Sequence, residues 1–149
     1  MAEGIIILGS ARSDGNARSL ADELAETTGW PLVDLNTKTI SGFDYAFRNR
    51  EDDFLPLMEM IVGHYDTLLL VTPVYWYSMS GTMKLFLDRF SDLLMLEKDL
   101  GRGLRGMRLE VAACGADAEV KEGFFMPFRE TARYLGMTYG QESYRCTGG

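Results

Sequence analysis

The chain has 149 residues, 46% of them hydrophobic, enough for one domain, residues 1–149, with a buried core. A formal net charge of −7 leaves no basic stripe to neutralise phosphates, which excludes nucleic acid as a partner, and no apolar segment has membrane-spanning length. Two cysteines, Cys114 and Cys146, without Cys-x-x-Cys spacing exclude a disulfide scaffold and point to a reducing cytoplasm.

Gly4 to Gly9 is a short, wholly apolar run, the pattern of a parallel strand buried on both faces. Glu3 stands ahead of it, and the run is too short for a secretory signal. The chain then enters Ser10-Ala11-Arg12-Ser13-Asp14-Gly15-Asn16 and a helix whose apolar face is Ala17, Leu20, Ala21, Leu24 and Ala25. Asn16 is its expected N-cap and Gly29 its stop. The first turn of such a helix has backbone N–H groups without partners, and its dipole favours negative charge. Ser10, Ser13 and Asn16 add neutral donors and Arg12 a charged fork, a set suited to a phosphate monoester. The loop has neither the Lys-Ser/Thr ending of a triphosphate loop nor the Gly-x-Gly-x-x-Gly of a dinucleotide site. An ordinary strand-to-helix turn is the other reading.

Pro31 to Leu35 reads as a second, less apolar strand near the sheet edge. Residues 36–50 are polar and irregular, with Phe43, Tyr45 and Phe47 alternating; these aromatics belong to a ring site or subunit contact, or to a loop anchored on the core. Asp53 is expected to cap a short helix with Phe54, Met58, Ile61 and Val62 inward, and His64, the only histidine, is a loop residue rather than a metal ligand.

Thr67 to Thr72 is the central strand, closed by Pro73. Pro73-Val74-Tyr75-Trp76-Tyr77-Ser78 follows at its carboxyl end, where ligands sit in open α/β sheets. Three aromatics there suit a flat ring; a buried cluster closing the core is the other reading. Ser80 caps the next helix, with Met83, Phe86, Leu87 and Phe90 on one face. Lys98 to Gly106 reads as a loop, made basic by Arg102, Arg105 and Arg108. Met107 to Ala113 is a fourth strand, interrupted by Glu110 and ending at Cys114-Gly115-Ala116-Asp117. Gly115 would let the backbone approach a ring, and Cys114 is a small buried residue rather than a nucleophile. Glu122 to Leu135 is a helix stopped by Gly136, with Phe124, Phe128, Ala132 and Leu135 inward, and Met137 to Cys146 is the last strand.

The unusual residues lie in the loops after strands one, three and four. In a doubly wound parallel sheet of order 2-1-3-4-5 these strands are neighbours at the switch point, so the three loops converge on one site. Only Thr147-Gly148-Gly149 follow the fifth strand, too few for the helix that usually covers it. Leu109 and Val111 should therefore pack under the third and fourth helices while Glu110 looks out of the bare face, to solvent or a partner subunit. The alternative buries Glu110 against Arg108 or Arg145.

Pro73-Val74-Tyr75-Trp76, Met79, Ser80-Gly81 and Met83-Lys84-Leu85-Phe86-Leu87-Asp88-Arg89 resemble the second flavin loop of the flavodoxin-like NAD(P)H-dependent FMN reductase family, including its iron–sulfur flavoprotein branch. Gly9-Ser10-Ala11-Arg12 with Gly15-Asn16 resembles the family's first phosphate loop. Ala17 departs from the threonine of many members, leaving a backbone N–H to serve alone there. In the iron–sulfur branch cysteines precede an Asp-Asp pair; here Asp52-Asp53 is present but residues 42–50 hold no cysteine, so no cluster is expected. The resemblance implies a flavodoxin-like sheet, its final helix missing, that binds FMN non-covalently. Ser10, Arg12, Ser13, Asn16 and Ala17 would hold the phosphate, and Pro73, Val74, Tyr75, Trp76, Tyr77, Ser78 and Gly115 the ring. It further implies hydride transfer from NAD(P)H to a quinone, azo, nitro or flavin acceptor, with no catalytic side chain and no metal, in a cytoplasmic homodimer or larger homo-oligomer. A flavodoxin-type electron carrier, or a binding protein of the same fold, are the alternatives.

Overall fold

The computed structural model describes residues 3–148, and its first strand shows why the sheet lies in the middle of the molecule. In β1 (Gly4–Leu8) every residue is buried: Ile5 and Ile7 join one apolar cluster, Ile6 and Leu8 another. Alternate side chains point to opposite faces, so a strand without polar alternation needs cover on both. On one face that cover is α1 (Asn16–Thr28), through Ala17, Leu20 and Ala21. On the other it is α2 (Phe54–His64), α3 (Gly81–Asp88), α4 (Phe90–Met95) and α6 (Met126–Leu135).

Five strands are parallel, in the order β2 (Leu32–Asp34), β1, β3 (Thr67–Tyr75), β5 (Arg108–Gly115), β6 (Thr138–Cys146). This is the expected doubly wound order, with β2 at one edge. A two-residue strand, β4 (Ser78–Met79), turns back antiparallel on the end of β3. Pro73 does not close β3, which continues through it to Tyr75. β1 pairs with β3 only as far as Leu8–Val71, and the Val71 carbonyl already faces the Gly9 N–H. Two residues on, the Pro73 nitrogen faces that same, now vacant side, where its missing N–H costs no ladder bond.

Several boundaries differ from expectation. Gly15, not Asn16, is the N-cap of α1, and no side chain caps that turn; Gly29 does stop the helix, at φ +75°. At α2 the Asp53 carboxylate is taken by the Thr39 N–H (2.6 Å), and Asp52 instead accepts the first helical N–H, from Phe54 (3.0 Å). His64 is the exposed last residue of that helix. The expected loop at Lys98 contains a short helix, α5 (Lys98–Arg102). Gly101 there is a packing glycine, because a Cβ would lie 2.3 Å from the Leu93 carbonyl oxygen. Arg102, Arg105 and Arg108 sit at the amino end of β5, away from the loops at the carboxyl ends. The last helix begins at Met126 rather than Glu122, after a turn in which Gly123 has φ +93°.

Leu109 and Val111 lie in the core cluster with residues of α3 and α6, the expected third and fourth helices, and of α2 and α4 as well, and Glu110 faces the other way. It is half-buried and held by Arg108 at 2.7 Å, the partner its alternative reading named. On that side α1 reaches only as far as Ala112 and Cys114. Among the described residues no further helix covers β5 and β6; ion pairs, Arg108 with Glu110 and Arg145 with Glu23, occupy the margin.

Candidate functional site

The loop from Gly9 to Gly15 is fixed from behind. Asn36, in the turn after β2, donates from Nδ2 to the Ser10 carbonyl (2.9 Å) and to Ser13 Oγ (3.3 Å). Asp34 holds that turn by accepting the Asn36 N–H at 2.9 Å, and its other oxygen is 3.5 Å from Arg18 Nη1. The helical ladder starts with the Ser19 N–H on the Gly15 carbonyl (3.1 Å), so the N–H groups before it have no intrahelical partner. Ser10 is buried, and its Oγ accepts the Arg12 N–H (3.4 Å). Arg12 is exposed and folds across Gly15, where a Cβ would be 2.6 Å from its Nε; its nearest carboxylate is Asp14, at 3.9 Å. Ala17 is buried in the core face of α1 and offers no hydroxyl. Ser13 and Asn16 are exposed at the mouth of the loop.

The aromatic segment is a hairpin. Val74 pairs with Met79 and Tyr75 with Ser78, leaving Trp76 and Tyr77 as its two-residue turn. Both take left-handed backbone angles, φ +50° and +70°. Asn-Gly is the usual occupant of such a turn, and each non-glycine residue there costs roughly 1–2 kcal/mol. The strain holds two large rings outward: Trp76 is 91% exposed and Tyr77 58%. They border a cleft of about 250 Å³, with Val74, Trp76 and Tyr77 on one side and Ala116, Asp117 and Lys121 on the other.

Tyr144, from β6, lines the same cleft and donates its hydroxyl to the Asp117 carbonyl (2.6 Å), pinning the loop after β5. Burial, with Cys146 and Asp117 nearby, pushes the Tyr144 phenol up, which keeps it a donor. Gly115 has a nearer reason to be glycine than a ring: a Cβ there would stand 2.9 Å from the Tyr144 hydroxyl and 3.2 Å from Val74 Cβ. Cys114 is buried, and burial pushes its thiol up, against a nucleophilic role.

Of the residues singled out in sequence, Ser10 and Tyr75 meet across the two loops, and Val74, Trp76 and Tyr77 meet residues 116–121 at the cleft. Pro73 is buried in the strand, and Ser78 is an exposed partner of Tyr75 in the hairpin. Asn36, Lys121 and Tyr144 were not anticipated: Asn36 lies in a featureless polar stretch, and Tyr144 in a strand whose polarity reads as a wet edge. Donors without fixed acceptors at the start of α1, beside a cleft bordered by aromatic rings, fit a phosphate ester carrying a planar ring.

Residues 4–139 match the family model described as NADPH-dependent FMN reductase. The putative NAD(P)H-dependent FMN-containing oxidoreductase YwqN of Bacillus subtilis (strain 168) is 28% identical over an alignment 144 residues long that covers 90% of this chain and 79% of that protein. The structure of the Trp repressor binding protein from Bacillus subtilis aligns with TM-score 0.77 at 25% identity, over 98% of this chain and 85% of that one. General stress protein 14 from Treponema denticola, solved in complex with FMN, shares the fold at TM-score 0.64 and 16% identity, over 95% of this chain and 85% of its own.

Proposed function

This chain belongs to the NADPH-dependent FMN reductase family, and we propose that its single domain holds the FMN phosphate on residues 10–17 and the ring beside residues 73–78 and 115. It is an NAD(P)H-dependent FMN oxidoreductase; its acceptor, in this proposal, is a small quinone, azo, nitro or flavin compound. The supporting observation is the convergence of the start of α1, the strained hairpin and the loop after β5 at adjoining strand ends.

FMN, when bound, supplies the redox chemistry. The chain's own residues bind, orient and screen it. Ser10, Ser13 and the first N–H groups of α1 donate to the phosphate and Arg12 offsets part of its charge, while Trp76 and Tyr77 keep water from one side of the cleft. Tyr144 fixes the opposing loop through Asp117. No side chain is assigned a proton transfer. Among the described residues no helix is long and apolar enough to cross a membrane. Association with a second copy is part of the proposal, covering exposed Leu94, Met95, Met126 and Tyr134; light scattering on the purified protein reads the subunit number, and a monomer would reject it.

Purified protein loaded with FMN should bleach in the visible on adding NADH or NADPH and regain colour with a quinone. No bleaching would sink the assignment, and bleaching without recovery would reject quinones. On binding, FMN should quench tryptophan emission mostly through Trp76. Trp30 packs over Gly4 at the amino end of β1, a strand whose five residues span roughly 13 Å at 3.3 Å per residue before the site's loops begin. A Trp76→Phe protein that keeps the full quench would move the ring toward Trp30. Arg12→Ala should weaken FMN by about 1.5 kcal/mol, the low end for a charged hydrogen bond because the side chain is 70% exposed. Unchanged affinity in a titration would remove Arg12 from the site.

A further inference from the structure

We propose that Tyr75 binds the ligand's phosphate through its hydroxyl, rather than serving only as a wall for the ring. The inference rests on the FMN reading above. Tyr75 ends β3 at the base of the aromatic hairpin, yet its hydroxyl reaches the other loop. It lies 3.3 Å from Ser10 Oγ and accepts the Ala11 N–H at 3.4 Å. The Arg12 N–H is drawn onto the same Ser10 Oγ. Two groups that would face a phosphate, the Ser10 hydroxyl and the Ala11 N–H, thus meet at one phenol oxygen, and the Arg12 N–H is tied to it through Ser10.

These contacts are long, so they are weak and cheaply exchanged. Bonds to a phosphate oxygen are charge-assisted, shorter and about twice as strong. The hydroxyl can accept from the loop and donate to the ester, and it supplies at this loop a hydroxyl that Ala17 does not. Trp76 and Tyr77 follow Tyr75 directly, in strained conformations. Fixing the Tyr75 hydroxyl on the phosphate therefore fixes the base of the hairpin that borders the ring, so a single residue senses both ends of the ligand.

Tyr75→Phe separates the hydroxyl from the ring. Its FMN dissociation constant should rise about tenfold, the scale of one hydrogen bond to a charged group, while riboflavin, which lacks the phosphate, should bind as to the unaltered protein. Phosphorus NMR of bound FMN should show a shifted resonance in the variant. FMN affinity that does not change, equal losses for FMN and riboflavin, or an unmoved phosphorus resonance would each overturn the role. Failure of the unaltered protein to bind FMN would instead remove the flavin reading itself.

Discussion

Arg89→Met should cost the fold about 3–5 kcal/mol at neutral pH, the scale for breaking a buried ion pair from one side. Arg89 is 1% exposed, and all five of its N–H groups are used. Nε (3.1 Å) and Nη2 (3.0 Å) hold Asp92, and Nη1 holds Asp52 (2.6 Å) and the Ser41 carbonyl (2.9 Å). Nη2 also reaches the Asn49 carbonyl at 3.2 Å, and the guanidinium lies 4.8 Å from the centre of the Phe54 ring. The irregular segment 41–52, with its Phe43–Tyr45 and Phe43–Phe47 contacts, is thereby clasped to the helices that follow the aromatic hairpin. Methionine, uncharged and shorter, would leave two carboxylates and two carbonyls without the Arg89 donors. Arg89→Lys, with one compact ammonium, should recover less than half of the loss.

The sign of the pH dependence follows from Asp52. Burial pushes its carboxyl up, but the bonds from Arg89 and from the Ser41 and Phe54 N–H groups outweigh burial and leave it below the usual range. A carboxyl depressed in the folded state stabilises the fold above its unfolded value, about 3.9, and loses that contribution as pH falls through the folded value. Without Arg89 the depression shrinks, so the variant has less to lose in acid. Stability curves of the two proteins should converge as pH falls below about 4. A gap that stays constant from neutral to acid pH would show that lost packing, not charge pairing, is what the substitution removes.

Elements that follow from local chemistry were legible in the sequence. β1 and β3 read as doubly buried strands because they lack polar alternation, and Gly29 and Gly136 read as stops because both helices end on a left-handed residue. The two loops of the site were legible as clusters of donors and of rings. What was hidden depends on partners distant in the chain or on residues used against type. Trp76-Tyr77 does not look like a hairpin turn, since the residues that enter such turns easily are Asn and Gly. Gly101 reads as a loop marker, although it serves close packing against Leu93. Arg89 is part of the motif that carries the family resemblance, yet its partner Asp52 is 37 residues away. The available clue was a charged residue between Phe86 and Phe90, on a helical face otherwise apolar.

Ser80→Ala should cost about 2–4 kcal/mol and weaken FMN binding without touching the ligand. Ser80 is fully buried between the two loops. Its Oγ accepts the Met83 N–H (3.0 Å), capping α3, and donates to the Gly9 carbonyl (2.7 Å) where the phosphate loop leaves β1. Its own N–H is taken by Thr72 Oγ1 at 3.0 Å. Losing the cap accounts for about 1 kcal/mol. Leaving the Gly9 carbonyl buried without a donor adds about 1–3 kcal/mol. There is little room for a shift that would restore the bond, since even a Cβ on Gly9 would lie 3.0 Å from Met83. The serine thus ties the start of the phosphate loop to the helix that follows the aromatic hairpin, and releasing it should loosen both ends of the site together. Denaturant unfolding with FMN titration tests this: a loss of only about 1 kcal/mol with unchanged FMN affinity would reduce Ser80 to a helix cap.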